Sequence, residues 1–294
     1  MAHLRSLLLH LAALALLLVC VGPIALSLFA SVMPDQAIFG FPPDWFGHDP
    51  TLDNYRYIFT GAIPDVYLTA GANRDMISDA ARQVPGGMWN STLVALGVMA
   101  VNIGLGGPAA YAFARMRFRG QTVSFLAIIL SRLVPAVALV TPFYLIVQAI
   151  GLLGTKSALI LVHSVLTLPF TVLILTVFFR RIPREIEESA LLDGCGRLEV
   201  FRYVFLPLAR TSIVATGLFA FVLSYAEFLF GLVLSGDAES RPLSVVLAAL
   251  ARNTDVSWGL LNASVVLAVI PTVALAALVW RFVVEGLLEG GVET

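Results

Sequence analysis

The chain has 294 residues, 59% of them hydrophobic and only 13% charged, with a mean hydropathy of +0.91 and a formal net charge of −1. A soluble domain carries about a quarter charged residues, so this composition belongs to a polytopic membrane protein. The near-neutral balance offers no basic field to attract phosphates, which argues against nucleic acid as a partner; Cys20 in the first apolar run and Cys195 in a loop are expected at different membrane depths, against a disulfide, and no Cys/His spacing suggests zinc.

In chain order, residues 7–32 form an apolar run interrupted by Gly22-Pro23, with only Arg5 before it. The run is too long for the apolar core of a signal peptide, so residues 1–32 are expected to be a retained N-terminal span. Residues 33–87 are polar and rich in Pro, Asp, Gly and aromatics, and are expected to form an external loop. Further apolar runs cover about 89–113, 122–150, 157–179, 208–234 and 259–284. Each is long enough to cross a hydrocarbon core of about 30 Å at about 1.5 Å per residue. The expected fold is all-α with six transmembrane helices, residues 88–294 forming a five-helix core that includes a polar loop, 181–207.

Arginine placement predicts orientation. One set of loops and span ends holds eleven (Arg5, Arg115, Arg117, Arg119, Arg180, Arg181, Arg184, Arg197, Arg202, Arg210 and Arg281), while the other holds six cations (Arg56, Arg74, Arg82, Lys156, Arg241 and Arg252). Both termini and the 181–207 loop are therefore expected on the cytoplasmic side.

That loop is charge-dense between two apolar runs. Pro183 suits the first position of a helix, and Glu185, Glu187 and Glu188 fall in its first turn, where the helix dipole favours negative charge. Asp193-Gly194 is a stop signal. A second short helix is expected with Leu198, Phe201, Val204 and Phe205 on one face, ending at Leu206-Pro207. A compact helix-turn-helix between two spans suits the transmission of force better than chemistry.

These residues also carry a resemblance. Glu188-Ser189-Ala190, Gly194 and Val204-x-Leu206-Pro207 resemble the EAA loop of ABC-importer permeases, E-A-A-x3-G-x9-I-x-L-P, with Ser189 for the middle alanine and Val204 for the isoleucine. Thr51-Leu52-Asp53-Asn54-Tyr55 is similar to the segment that follows the first span in sugar-type members. Asn90-Ser91 with Ala109 to Gly120, Glu227-Phe228-Leu229-Phe230, and the tail from Glu285 to Val292 resemble further signatures of carbohydrate-importer permeases. Tyr225-Ala226 departs from the usual Trp-Asn.

The resemblance covers residues from about 42 to the end, and within the family it is nearest to the second permease subunit of maltose- and trehalose-type importers. It implies a type I importer fold in a bacterial cytoplasmic membrane and a disaccharide such as trehalose or maltose as substrate. The implied partners are a second homologous permease, a pair of ABC ATPase subunits and an extracytoplasmic sugar-binding protein. It also implies that Glu187, Glu188, Ser189, Ala190, Leu191, Asp193, Gly194, Arg197, Leu206 and Pro207 couple to the ATPase, whose ATP and Mg would be held outside this chain, which itself would bind no cofactor. A permease for glycerol-3-phosphate or another solute is the neighbouring alternative, and an ion-coupled secondary transporter a more distant one.

Polar groups inside apolar runs are functional candidates. Glu227, expected mid-span with Tyr225 beside it, Arg132 and Asn262 are expected along the substrate pathway. His163, Asn90, Asn102 and Gln148 fit hydrogen-bonded positions between helices. The only lysine, in Gly151-Leu152-Leu153-Gly154-Thr155-Lys156-Ser157, lacks the glycine spacing of a phosphate-binding loop. No catalytic motif or carboxylate cluster occurs, and no enzymatic activity is expected.

Overall fold

A computed structural model describes residues 2–34, 37–38, 49–62, 79–252 and 257–289, and for 2–4, 79 and 281–289 the backbone alone. Much of the 33–87 loop, including Arg74, lies outside these residues, as does the tail beyond Glu289 and the Arg281 side chain. Every regular element among the described residues is helical.

The chain divides into two compact units, residues 1–88 with 246–270, and residues 89–245 with 271–294. In the first, α1 (Ala2–Ser31) is strongly apolar from Leu11 to Ala30, in keeping with a lipid-facing span. The short α2 (Asp53–Thr60) is tied to its end. Asn54 donates from Nδ2 to the Ser31 carbonyl at 2.9 Å, and the Tyr55 hydroxyl donates to Ser31 Oγ at 2.7 Å. The Asn-Tyr of the sugar-permease-like segment is thus a clasp on the first span.

The second unit is built on α3 (Val84–Arg115), α6 (Lys156–Arg181) and α9 (Arg210–Tyr225). Small residues let their backbones approach: a Cβ at Gly106 would stand 2.8 Å from Thr171 Cγ2, and one at Gly217 2.9 Å from Ile103 Cδ1. Asn102 joins α3 to α6, donating to the Thr167 and Thr171 hydroxyls at 2.7 and 3.2 Å. Asn90 likewise donates to the Ala238 and Arg241 carbonyls, whereas Gln148 is exposed and takes no part in such a bridge. Val94, Val98, Leu159, Val162, Phe230 and Leu234 form one apolar cluster of this unit.

Helices Arg5–Ser31, Ala80–Arg115, Lys156–Arg181 and Trp258–Trp280 are long and apolar enough to span a membrane unbroken. The expected 122–150 span is instead α4 (Gln121–Leu130) with a 3-10 turn to Leu133, then α5 (Ala136–Ala149), bent by 103°. Pro135 stands at that break, where it cannot donate a helical hydrogen bond. Pro108, Pro142, Pro169 and Pro271, by contrast, lie inside helices.

The expected 208–234 span is also interrupted. After α7 (Arg184–Leu192), α8 (Arg197–Val200) continues through a π turn, Phe201–Phe205, to Leu208 and meets α9 at 81°. Helix α9 then stops at Tyr225, and α10 (Leu229–Leu234) begins beyond a three-residue break. By length and composition four helices can cross a membrane, or up to six where each bent pair is one span. Two helices, α11 (Leu243–Ala251) and α12 (Trp258–Glu289), complete the described residues.

Candidate functional site

The 181–207 loop folds as the expected helix-turn-helix, with Pro183 capping α7 from just outside it. A complete glycine-centred stop closes α7. Gly194 has φ of +92°, its N–H bonds the Leu191 carbonyl at 3.1 Å, and the Cys195 N–H bonds the Ala190 carbonyl at 3.1 Å. Open space surrounds the Gly194 Cα. Backbone conformation, rather than crowding by this chain, is what requires glycine here. Helix α8 starts at Gly196, whose N–H donates to Glu199 Oε2 at 2.7 Å.

The inner face of the hairpin is fastened to the spans. Val200, Phe201 and Phe205 pack with Ala110 and Tyr111 of α3 and Leu175 and Phe179 of α6. The ring centroids of Phe205 lie 4.8 Å from Tyr111 and 5.7 Å from Phe179 in edge-on contacts, and the Arg115 guanidinium lies 5.0 Å over the Phe205 ring. Glu187 is buried at 7% exposure, accepting from the Tyr111 hydroxyl at 3.2 Å with Arg115 Nε at 3.7 Å. Arg115 also donates to the Phe179 and Ile182 carbonyls. It thereby satisfies the end of α6, where carbonyls lack helical partners.

The outer face is open. Glu188, Ser189, Asp193, Gly194 and Arg197 are exposed, as are the apolar Leu191 and Leu192 at the end of α7 and Leu198 of α8, with Leu192 89% and Leu198 76% exposed. Leu198 therefore does not share the buried face expected for it with Phe201, Val204 and Phe205. Ala190 and Leu206 are partly buried against the inner cluster, and Pro207 is exposed.

Tyr225 ends α9 and Glu227 lies in the three-residue break before α10. Glu227, expected in the middle of a continuous span, instead caps α10. Its carboxylate accepts from the Phe230 N–H at 3.0 Å and the Gly231 N–H at 3.0 Å, an arrangement favoured at a helix N-terminus. Its backbone carbonyl accepts from Ser244 Oγ at 2.7 Å. His163, 2% exposed on α6, places Nε2 3.1 Å from Glu227 Oε2 and Nδ1 2.9 Å from Ser224 Oγ. The Tyr225 ring stacks on Phe221 at 5.6 Å.

Arg132 sits on a different element, at the bend after α4, with its guanidinium 4.7 Å over the Phe170 ring. Asn262 donates to the Trp258 carbonyl of its own helix at 2.8 Å. Tyr111 and Arg115 were not singled out from sequence as partners of the loop. Their four-residue spacing on one helix face was the available signal, with no local pattern to connect them to Glu187.

Residues 102–287 match the family model described as binding-protein-dependent transport system inner membrane component. The chain is 31% identical over 266 residues to the sulfoquinovosyl glycerol transport system permease protein SmoH of Agrobacterium fabrum, covering 90% of this chain and 86% of that one. It is 25% identical over 291 residues to the trehalose/maltose transport system permease protein MalG of Thermococcus litoralis, covering 99% and 98%. Its fold matches a chain in the crystal structure of a bacterial ABC transporter involved in the import of the acidic polysaccharide alginate. There the TM-score is 0.72 at 20% identity, covering 95% of both chains.

Proposed function

The chain belongs to the family of binding-protein-dependent transport system inner membrane components, as a non-catalytic permease subunit of an ABC importer, and from that premise we propose how it works and what it carries. The substrate is a sugar, of disaccharide size such as trehalose or maltose. Trehalose and maltose are named for one relative, and a glycosyl glycerol for another. A second homologous permease, a pair of ABC ATPase subunits binding ATP and Mg, and an extracytoplasmic binding protein complete the assembly. Both termini and the α7–α8 hairpin face the cytoplasm, in keeping with the arginine distribution.

One observation carries the mechanism: the hairpin is open outside and fastened inside. Leu191, Leu192 and Leu198 offer an apolar docking patch, with Glu188, Asp193 and Arg197 as its charged surround, for a cleft on the ATPase. Closure of the ATPase pair pushes this surface. Through Glu187, Phe201 and Phe205 the push reaches α3 and α6, and through Leu206-Pro207 it reaches α9. These spans move as rigid pieces and switch the pathway between its two openings.

We place Tyr225 and Glu227 on that pathway. Non-helical backbone at membrane depth is tolerated only where protein buries it or a water-filled cavity borders it. Arg132, resting on Phe170, and Asn262, bonded within its own helix, are weaker proposals for the same role.

The test is purification of the tagged chain with its co-purifying subunits, followed by ATP hydrolysis with and without candidate sugars. Glu188→Arg and Gly194→Leu are expected to release the ATPase and abolish sugar-stimulated hydrolysis. Full retention of the ATPase by both variants would overturn the coupling role. A chain that purifies alone and transports in liposomes without ATP would overturn the importer assembly.

A further inference from the structure

Where α3 and α6 end and α4 begins, the chain forms a pocket of about 400 Å³ lined by Phe113, Ala114, Met116, Gln121 and four arginines, Arg115, Arg117, Arg180 and Arg184. None of the residues lining it is acidic. Arg115 is engaged with Glu187 and the α6 carbonyls, and Arg180 donates weakly to the Phe113 carbonyl at 3.4 Å. Among the described residues, no carboxylate stands within ion-pair distance of Arg117, Arg180 or Arg184. The nearest acidic groups on the adjoining helix are Glu187, paired to Arg115, and the exposed Glu185. Three guanidinium groups thus converge without a counter-charge, while the Phe113 carbonyl of α3 and the Phe179 carbonyl of α6 also accept from Gln121 Nε2 and Arg115 respectively.

The depth of the pocket identifies the anion. The candidate spans Ala80–Arg115 and Lys156–Arg181 both end at it, and the bent span beginning at Gln121 starts there. Three spans terminating at one level mark the boundary between hydrocarbon and headgroups. Phe113, Phe118 and Phe125 gather at the same level, with centroid separations of 5.7 and 5.2 Å, and the Arg180 guanidinium lies 5.9 Å from the Phe125 ring. From Gln121 the exposed apolar side chains Val123, Leu126 and Leu130 run up α4 as a surface for acyl chains. Basic pockets between spans on the cytoplasmic side suit anionic lipid headgroups.

We propose that this arginine pocket binds the phosphate of an anionic phospholipid headgroup, with its acyl chains along α4. Arg184 is the first residue of α7, and Arg115 holds Glu187 of the same helix, so the bound headgroup braces the base of the coupling hairpin. The lipid's position on the cytoplasmic leaflet rests on the orientation proposed above. Its binding does not depend on which substrate is carried.

The experiment is native mass spectrometry of the chain with its co-purifying subunits, released from nanodiscs containing equal phosphatidylglycerol and phosphatidylcholine. Phosphatidylglycerol is expected to be retained preferentially. The Arg117→Gln/Arg180→Gln double variant should retain it roughly 30-fold more weakly, the equivalent of about 1 kcal/mol for each arginine removed near the surface. Arg119→Gln, on the same loop but outside the pocket lining, should match the parent.

Equal retention of both lipids, or a double variant indistinguishable from the parent, would overturn the proposal. Displacement of the lipid by millimolar inorganic phosphate would reassign the pocket to a free phosphate and overturn the lipid assignment. Because the readout is lipid mass, it is independent of ATP hydrolysis and of sugar, so its failure is distinguishable from failure of the importer reading.

Discussion

Glu187 and Glu188 are adjacent in the chain and about 100° apart round α7, and that rotation separates their fates. Glu187 is enclosed with Tyr111 and Arg115, while Glu188 points away from the protein. Glu187→Ala is expected to leave the Tyr111 hydroxyl and part of the Arg115 guanidinium unpartnered, destabilising the fold by about 1–3 kcal/mol. Glu188→Ala should leave the melting temperature in detergent unchanged and weaken ATPase retention alone. Thermal unfolding and co-purification of the two variants separate these effects, and equal loss of stability in both would refute the division. At the span break, Glu227→Gln keeps an oxygen for the α10 amides, whereas Glu227→Ala strands two N–H groups and His163, so the alanine variant should melt lower. The sequence makes Glu227 conspicuous, as a carboxylate in an apolar run. It did not disclose that the carboxylate caps a helix, since its partners include His163, 64 positions away.

At the scale of elements, a hydropathy run reports how much chain is apolar but not where its helix breaks. The run at 122–150 carried a visible cause in Pro135, but the run at 208–234 had no proline to announce the break after Tyr225. That break is held by Glu227 and Ser244, a tertiary arrangement outside any local window. The 181–207 hairpin was more legible: Pro183, the acidic first turn and Asp193-Gly194 are local signals, and each acts within its own turn. Leu198 was misplaced because a helical wheel ranks hydrophobicity without knowing which side a partner will cover. The same contrast yields a prediction. Phe205 is fully buried among Tyr111, Phe179 and Arg115, so Phe205→Ala should destabilise the chain by about 3–5 kcal/mol. Leu192→Asp and Leu198→Asp replace exposed side chains and should change stability by no more than about 0.5 kcal/mol while weakening ATPase retention. Comparable melting losses in all three would mean that the outer patch is buried in a way the isolated chain does not reveal.

For the whole molecule, membrane residence and the helical class follow from composition, and the proposed orientation rests on where eleven arginines gather. The structure gives that distribution a local purpose as well, since Arg115 caps α6 and Arg117, Arg180 and Arg184 line one pocket. A charge bias that also builds contacts is harder to reverse than one of isolated loop charges. Topology should therefore survive the loss of any single arginine. The check is labelling of intact cells with a membrane-impermeant thiol reagent, in a Cys20→Ser/Cys195→Ser background. Ser189→Cys, on the exposed face of α7, is expected to react only after the cells are opened. Leu52→Cys, at the exposed start of α2, is expected to react from outside. The same pattern should hold when Arg117→Gln is added. Reaction of Ser189→Cys in intact cells would invert the orientation, moving the hairpin away from cytoplasmic ATP and removing the basis for ATPase coupling.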